Sequence, residues 1–120
     1  MLTPLKIKNF GELAVNDSRK KALTILEAGL QSIDTKSVLK NLVRLKDDLL
    51  CIGDKQFILK DIKKLIFVGI GKSGVESAMV FEDILGDYIT KGIVLDVKEG
   101  KKLKKVKSFK GTHPLPSNQN

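Results

Sequence analysis

The residues best suited to chemistry lie in the stretch IFVGIGKSG, which covers residues 66–74. Glycines that lead from a strand into a helix leave backbone N–H groups at the positive end of that helix, where an anion can bind. Lys72 adds a mobile positive charge within the same turn. These residue types therefore predict a site for a phosphate or another small anion.

Known phosphate-binding motifs differ in how well they fit this turn. A P-loop has the form G-x-x-x-x-G-K-S/T, and its first glycine would fall at Ile66, so the spacing excludes it. Gly69, Gly71 and Gly74 satisfy the dinucleotide fingerprint G-x-G-x-x-G, and Asp96 ends the next apolar run. A lysine between the glycines is unusual in that fingerprint, and 120 residues leave no room for the second half of the fold.

The elements around the turn form a βαβ pattern. LIFVGIG is a short, continuous apolar run that predicts a buried strand, and GIVLDV predicts a second one. Between them lies a helical pattern that ends at Gly86, with apolar residues on one side: Val75, Ala78, Met79 and Leu85. We therefore predict an α/β fold with a Rossmann-like parallel sheet flanked by helices, and a βαβ core over residues 65–97.

Three further segments complete the predicted organisation. Residues 16–46 show helical spacing, and residues 49–60 contain two short apolar runs around a Gly-Asp-Lys turn, which is typical of a hairpin. Residues 98–120 form a basic strand followed by a Pro-rich loop. Because the sequence stops inside this loop, we interpret residues 1–120 as one partial domain, the incomplete N-terminal portion of a larger one.

The positive charge of the chain is concentrated in one segment. The net charge is +8, and residues 98–110 contain seven lysines against one glutamate. Lysines protect an exposed strand edge from pairing with other chains, and they can also bind a polyanion. The segment has no arginine and one aromatic residue, Phe109, so we do not expect nucleic acid as a partner. A non-enzymatic basic binding protein remains an alternative.

The cysteine and histidine content limits the chemistry further. Cys51 is the sole cysteine and His113 the sole histidine, which excludes an internal disulfide and a zinc cluster. We find no signal peptide and no apolar run of membrane-spanning length, and we expect a cytoplasmic protein with no membrane contact.

Two longer stretches resemble the N-terminal part of the glycerate 2-kinase family, whose members carry a C-terminal MOFRL-type domain. These stretches are FVGIGKSGVESAMVFEDILGDYITKGIVL and GTHPLP. The resemblance extends over residues 65–116 and rests on the order and spacing of short motifs rather than on one of them. The motifs are Gly71-Lys72, Leu85-Gly86-Asp87, Gly92 and His113-Pro114-Leu115-Pro116.

The resemblance implies a function, which we state as an expectation. Members of the family transfer the γ-phosphoryl group of ATP to the 2-hydroxyl of glycerate with a divalent cation such as Mg²⁺. By resemblance, Lys72 is catalytic and His113 lies at the mouth of the cleft. The substrate- or phosphate-binding residues are Gly69, Gly71, Ser73, Gly74 and His113, and no metal ligand is assigned. The implied partners are glycerate or a similar hydroxy acid, ATP and the C-terminal domain, and a homodimer is compatible with the family.

Departures from the family pattern leave the exact substrate open. Ser73-Gly74 replaces two small residues, DVKEGKK lacks the histidine of the family, and Ser117-Asn118-Gln119 replaces acidic residues. A site between two domains cannot close with part of one, so we expect the chain to be inactive alone. Residues 69–74 also fit a sugar-phosphate-binding module of the SIS type, which stays the main alternative.

Glu82 is an unusual residue within the predicted helix. It falls among the apolar residues of the buried side, where a carboxylate needs a partner. We expect a structural pairing with a lysine rather than a catalytic role.

Overall fold

A computed structural model of the chain describes residues 4–100 and 102–118. The chain divides into two compact units, with the boundary between Val38 and Leu39. The single partial domain over residues 1–120 stays a prediction.

The first unit is helical. It contains α1 (Phe10–Leu13), α2 (Asp17–Ser32) and the start of α3 (Thr35–Leu42). The side chain of Asn16 caps α2 by accepting a hydrogen bond from the N–H of Arg19 over 2.9 Å. Glu27 of α2 is buried and accepts hydrogen bonds from the N–H groups of Lys6 and Ile7, over 2.7 and 2.9 Å. These bonds fasten the segment before α1 to α2.

The second unit begins with an antiparallel sheet in the order β1-β2-β3. Its strands are β1 (Val43–Lys46), β2 (Leu49–Ile52) and β3 (Lys55–Ile58). The helical prediction for residues 16–46 is therefore wrong over residues 43–46. In β1 the buried and half-buried Val43 and Leu45 alternate with exposed basic residues, and this period of two matches β2, with which β1 pairs.

The rest of the second unit is a βαβ unit with an added strand. It consists of β4 (Leu65–Ile70), α4 (Gly74–Leu85), β5 (Ile89–Asp96) and β6 (Val106–Lys110). The three strands are parallel and lie in the order β4-β5-β6. Helix α4 ends at Gly86, which adopts a φ of 49° that favours glycine. The predicted α/β fold with a parallel sheet is confirmed.

Helix α4 covers one face of this sheet. Val75 and Ala78 of the helix pack with Val94 of β5 and Val106 of β6 in a buried cluster. On the opposite face, five apolar side chains are between 47% and 81% exposed: Ile66, Val68, Ile70, Ile93 and Phe109. Because strand residues alternate between faces, the register that points Val94 at the helix points Ile93 away from it.

Glu82 of α4 fixes the segment that leads into β6. Its carboxylate accepts hydrogen bonds from the backbone N–H groups of Lys104, Lys105 and Val106 at distances between 2.8 and 3.1 Å. The expected structural pairing thus involves lysine backbone rather than a lysine ammonium group. Burial raises the pKa of Glu82, but these hydrogen bonds outweigh it and the net pKa is lowered.

We expect Glu82→Gln to lower the free energy of unfolding by about 1–3 kcal/mol, because backbone donors lose acceptors. Since the folded pKa lies below its ordinary value of 4.5, the contribution of Glu82 is complete above pH 4.5 and is lost as the pH falls through the folded value. Urea unfolding of both proteins across this range measures the effect. Equal stability of the two proteins at neutral pH would contradict this assignment.

Candidate functional site

A cavity of about 150 Å³ lies at the carboxyl ends of β4, β5 and β6. Parallel strands end at the same edge of a sheet, and ligands of α/β proteins bind outside this edge. The cavity brings together two residues that are distant in sequence, Lys72 and His113. Its full lining is Ile70, Gly71, Lys72, Leu95, Asp96, Val97, Gly111, Thr112 and His113.

The turn after β4 presents Lys72 to this cavity. Gly71 has a φ of 110°, a conformation that residues with a side chain rarely adopt. Its N–H donates to the carbonyl oxygen of Leu95 over 2.9 Å, and its own carbonyl accepts from the N–H of Gly74 over 2.9 Å. The turn is therefore tied to β5 on one side and to α4 on the other, while Lys72 itself is exposed.

Asp96, at the end of β5, connects the segments around the cavity. Its side chain is buried, with 3% of its surface exposed. Oδ2 accepts a hydrogen bond from the N–H of Val75 at the start of α4 over 2.9 Å, and Oδ1 accepts from the N–H of Lys98 over 3.1 Å. The backbone oxygen of Asp96 accepts from the N–H of Gly111 over 2.8 Å. The sequence pattern shows Asp96 at the end of the second apolar run. Its bond to the start of α4 depends on the tertiary structure and could not be predicted from that pattern.

The loop after β6 brings His113 to the cavity. Gly111 is buried and bonded to β5, so the two residues that follow start from a fixed point. The hydroxyl of Thr112 donates to the carbonyl oxygen of Leu115 over 2.8 Å, and the peptide bond between His113 and Pro114 is cis. His113 is exposed at the opening.

The other predicted binding residues lie beside the cavity rather than in its lining. A Cβ on Gly69 would lie 3.0 Å from side-chain atoms of both Phe67 and Val94, and one on Gly74 would lie 2.6 Å from Val94 Cγ2. Both glycines therefore allow α4 and the strands to pack closely. Ser73 is exposed and makes no capping hydrogen bond to α4.

The described residues provide no cluster for a divalent cation, and this cavity is small for a whole nucleotide. Within residues 4–100 and 102–118, no group of three or more His, Cys, Asp or Glu side chains could hold a metal ion. Asp96 is the one carboxylate in the cavity lining, and both of its oxygens already accept N–H groups. A cavity of about 150 Å³ is below the range of about 300–1,000 Å³ typical of pockets for larger ligands.

The lysine-rich segment borders a second cavity, of about 430 Å³. Lys102, Lys104 and Lys105 line it together with acidic residues of α4 and the turn that follows. One of these acids, Asp87, forms an ion pair with Lys105 over 3.1 Å. The acidic residues offset part of the positive charge of this segment, which weakens the case for a polyanion-binding surface.

Comparison with known proteins identifies the family. Residues 21–120 match the family described as "Domain of unknown function (DUF4147)". The chain belongs to this family. The resemblance of the DUF4147 chain to the N-terminal part of the glycerate 2-kinase family is confirmed. In the described part of the chain, no helix has the length and apolar character needed to cross a membrane.

Two similar curated proteins are named "Glycerate 2-kinase". The protein from Pyrococcus horikoshii is 30% identical over 101 residues, which cover 83% of this chain and 22% of the relative. The protein from Picrophilus torridus is 26% identical over 111 residues, which cover 91% of this chain and 24% of the relative. The DUF4147 chain thus spans less than a quarter of the length of these relatives.

A solved structure shares the fold of the DUF4147 chain. The crystal structure of the PH0495 protein from Pyrococcus horikoshii OT3 matches with a TM-score of 0.71 and 27% sequence identity. The match covers 88% of this chain and 23% of the solved chain.

Proposed function

We propose that the chain contributes part of the active site of a cytoplasmic glycerate 2-kinase-like enzyme, which transfers the γ-phosphoryl group of ATP to the 2-hydroxyl of glycerate. The observation that carries this proposal is the meeting of Lys72 and His113 in one cavity at the carboxyl ends of three parallel strands. The names of the two curated relatives support the same reaction.

Different residues of the cavity fit different requirements of the reaction. Phosphoryl transfer requires positioning of the two reactants and neutralisation of negative charge on the phosphoryl oxygens. The Lys72 ammonium group supplies a positive charge at the cavity. His113 offers hydrogen-bonding groups that orient the small acid at the opening. When bound, a divalent cation would neutralise further phosphate charge, and we assign no step to it because the described residues offer no ligand set.

The size of the cavity favours the acceptor rather than the nucleotide as the ligand of this chain. About 150 Å³ can hold a three-carbon hydroxy acid, whereas the adenosine part of ATP would have to lie outside. The proposed active site is therefore completed by residues beyond those described here, such as those of the C-terminal domain implied by the family. This arrangement is compatible with a homodimer.

A thermal-shift titration distinguishes this proposal from its alternatives. We expect glycerate to raise the unfolding temperature of the chain, because a ligand that binds the folded state stabilises it. Hexose phosphates, and oligonucleotides at moderate salt, are expected to leave the temperature unchanged. Stabilisation by a hexose phosphate alone would favour the SIS-type module, and stabilisation by oligonucleotides alone would favour a basic binding protein.

A second prediction concerns turnover. The 120-residue chain incubated with ATP, Mg²⁺ and glycerate is expected to form no phosphoglycerate above the level of a protein-free control, because it presents only the acceptor side of the site. A coupled assay of ADP formation measures this. Glycerate-dependent ADP formation by the pure chain would show that the chain is a complete catalyst.

A further inference from the structure

A glycine-rich turn that leads into a helix is the usual place for a phosphate group, yet the start of α4 already holds an anion. That anion is the carboxylate of Asp96, whose Oδ2 lies 2.9 Å from the backbone nitrogen of Val75. The carboxylate is buried, with 3% of the residue exposed. Two further N–H groups of the turn, those of Gly71 and Gly74, donate to backbone carbonyls over 2.9 Å.

We propose that Asp96 is a specificity residue that fills the N-terminus of α4 with an internal carboxylate and keeps phosphate groups out of it. A ligand phosphate placed at Val75 would lose this N–H donor to Asp96 and would meet a negative charge of the same sign. The same side chain also bonds to Lys98, so it cannot turn away without breaking a second hydrogen bond. Lys72 is left as the positive group that a ligand in the cavity meets.

This arrangement separates the chain from dinucleotide- and sugar-phosphate-binding turns, which use the helix N-terminus for the phosphate of their ligand. For the proposed kinase, Asp96 favours an acceptor that carries no phosphate over one that does, and this consequence rests on the proposed function. The exclusion of phosphate itself depends on the described geometry and not on the reaction.

Inorganic phosphate is the probe that tests the proposal. An isotope-labelled chain is titrated with phosphate at constant ionic strength, and the amide signals of Val75 and Glu76 are followed by NMR. In the unaltered chain, these two signals are expected to stay in place. In Asp96→Asn, which removes the charge at nearly constant volume, they are expected to shift with saturation, with an affinity about tenfold or more above that of the unaltered chain.

A control variant and a second Asp96 variant complete the experiment. Asp83→Asn removes an exposed charge elsewhere on α4 and is expected to leave the signals of Val75 and Glu76 insensitive to phosphate. Asp96→Ala is followed by thermal unfolding, where added phosphate should raise its unfolding temperature more than that of the unaltered chain. If neither Asp96 variant folds, the phosphate titration of the unaltered chain still tests the proposal.

Saturable phosphate shifts at Val75 and Glu76 in the unaltered chain would overturn the proposal. Equal phosphate affinity of the unaltered chain and a folded Asp96→Asn variant would overturn it as well. Failure of glycerate to bind would count against the proposed kinase function and would leave the phosphate result standing, so the two ideas fail separately.

Discussion

Replacing Lys72 with Met is expected to lower glycerate kinase turnover by about 100- to 1,000-fold, the range found when a charge-stabilising group is removed from an active site. The assay uses a chimera in which this chain replaces the aligned segment of the Pyrococcus horikoshii glycerate 2-kinase. Lys72 is exposed and lies in a turn whose hydrogen bonds come from the backbone of Gly71. The substitution should therefore change stability by less than about 0.5 kcal/mol.

Lys60→Met is the matched control, because Lys60 is also exposed in the second unit and does not line the cavity. It is expected to keep turnover within about twofold of the unaltered chimera, as exposed substitutions outside a site usually have small effects. A folded Lys72→Met chimera with unchanged turnover would remove Lys72 from the mechanism. A folded but inactive unaltered chimera would count against the proposed function as a whole.

A substitution at Gly92 in β5 is expected to have a large effect on the stability of the fold. Gly92→Ala is expected to lower the free energy of unfolding by about 1–3 kcal/mol or more, because the added Cβ overpacks the sheet. This Cβ would lie 2.8 Å from Val106 Cγ2, 2.9 Å from the backbone oxygen of Phe67 and 3.0 Å from its Cβ. The backbone oxygen belongs to β4 and cannot move without displacing that strand.

Gly29→Ala makes the same chemical change at an exposed position of α2 where no atom lies within 4 Å of the new Cβ. It should stabilise its helix by about 0.5–1 kcal/mol, since alanine is the better helix former. Urea unfolding of the three proteins provides the comparison. A Gly92→Ala variant as stable as the unaltered chain would show that β4 and β5 leave room for a Cβ at this position.

The βαβ core was predictable because its signals are local. The apolar runs that became β4 and β5 are short and continuous, and Gly86 ends α4 as the pattern predicts. The strand at residues 43–46 was missed because it directly follows a helix, with no glycine or proline between them. Only pairing with β2 distinguishes it from a further helical turn.

The candidate site was predictable in part. Lys72 was predicted as a site residue from the glycine turn around it. The position of His113 near it was predicted only from the family resemblance. The contacts of Asp96 could not be read from the sequence, because Val75 and Gly111 reach it through the fold. Glu82 was recognised as a buried-side carboxylate, but its backbone partners depend on the path of the chain before β6.

We propose that the cavity at the carboxyl ends of β4, β5 and β6 binds the acceptor acid. An amide NMR map of the chain during titration with glycerate tests this most directly. We expect weak but saturable shifts confined to residues 70–72, 95–97 and 111–113, and we expect Lys72→Met to reduce them greatly. Shifts elsewhere in the chain, or an unchanged spectrum at saturating glycerate, would contradict it.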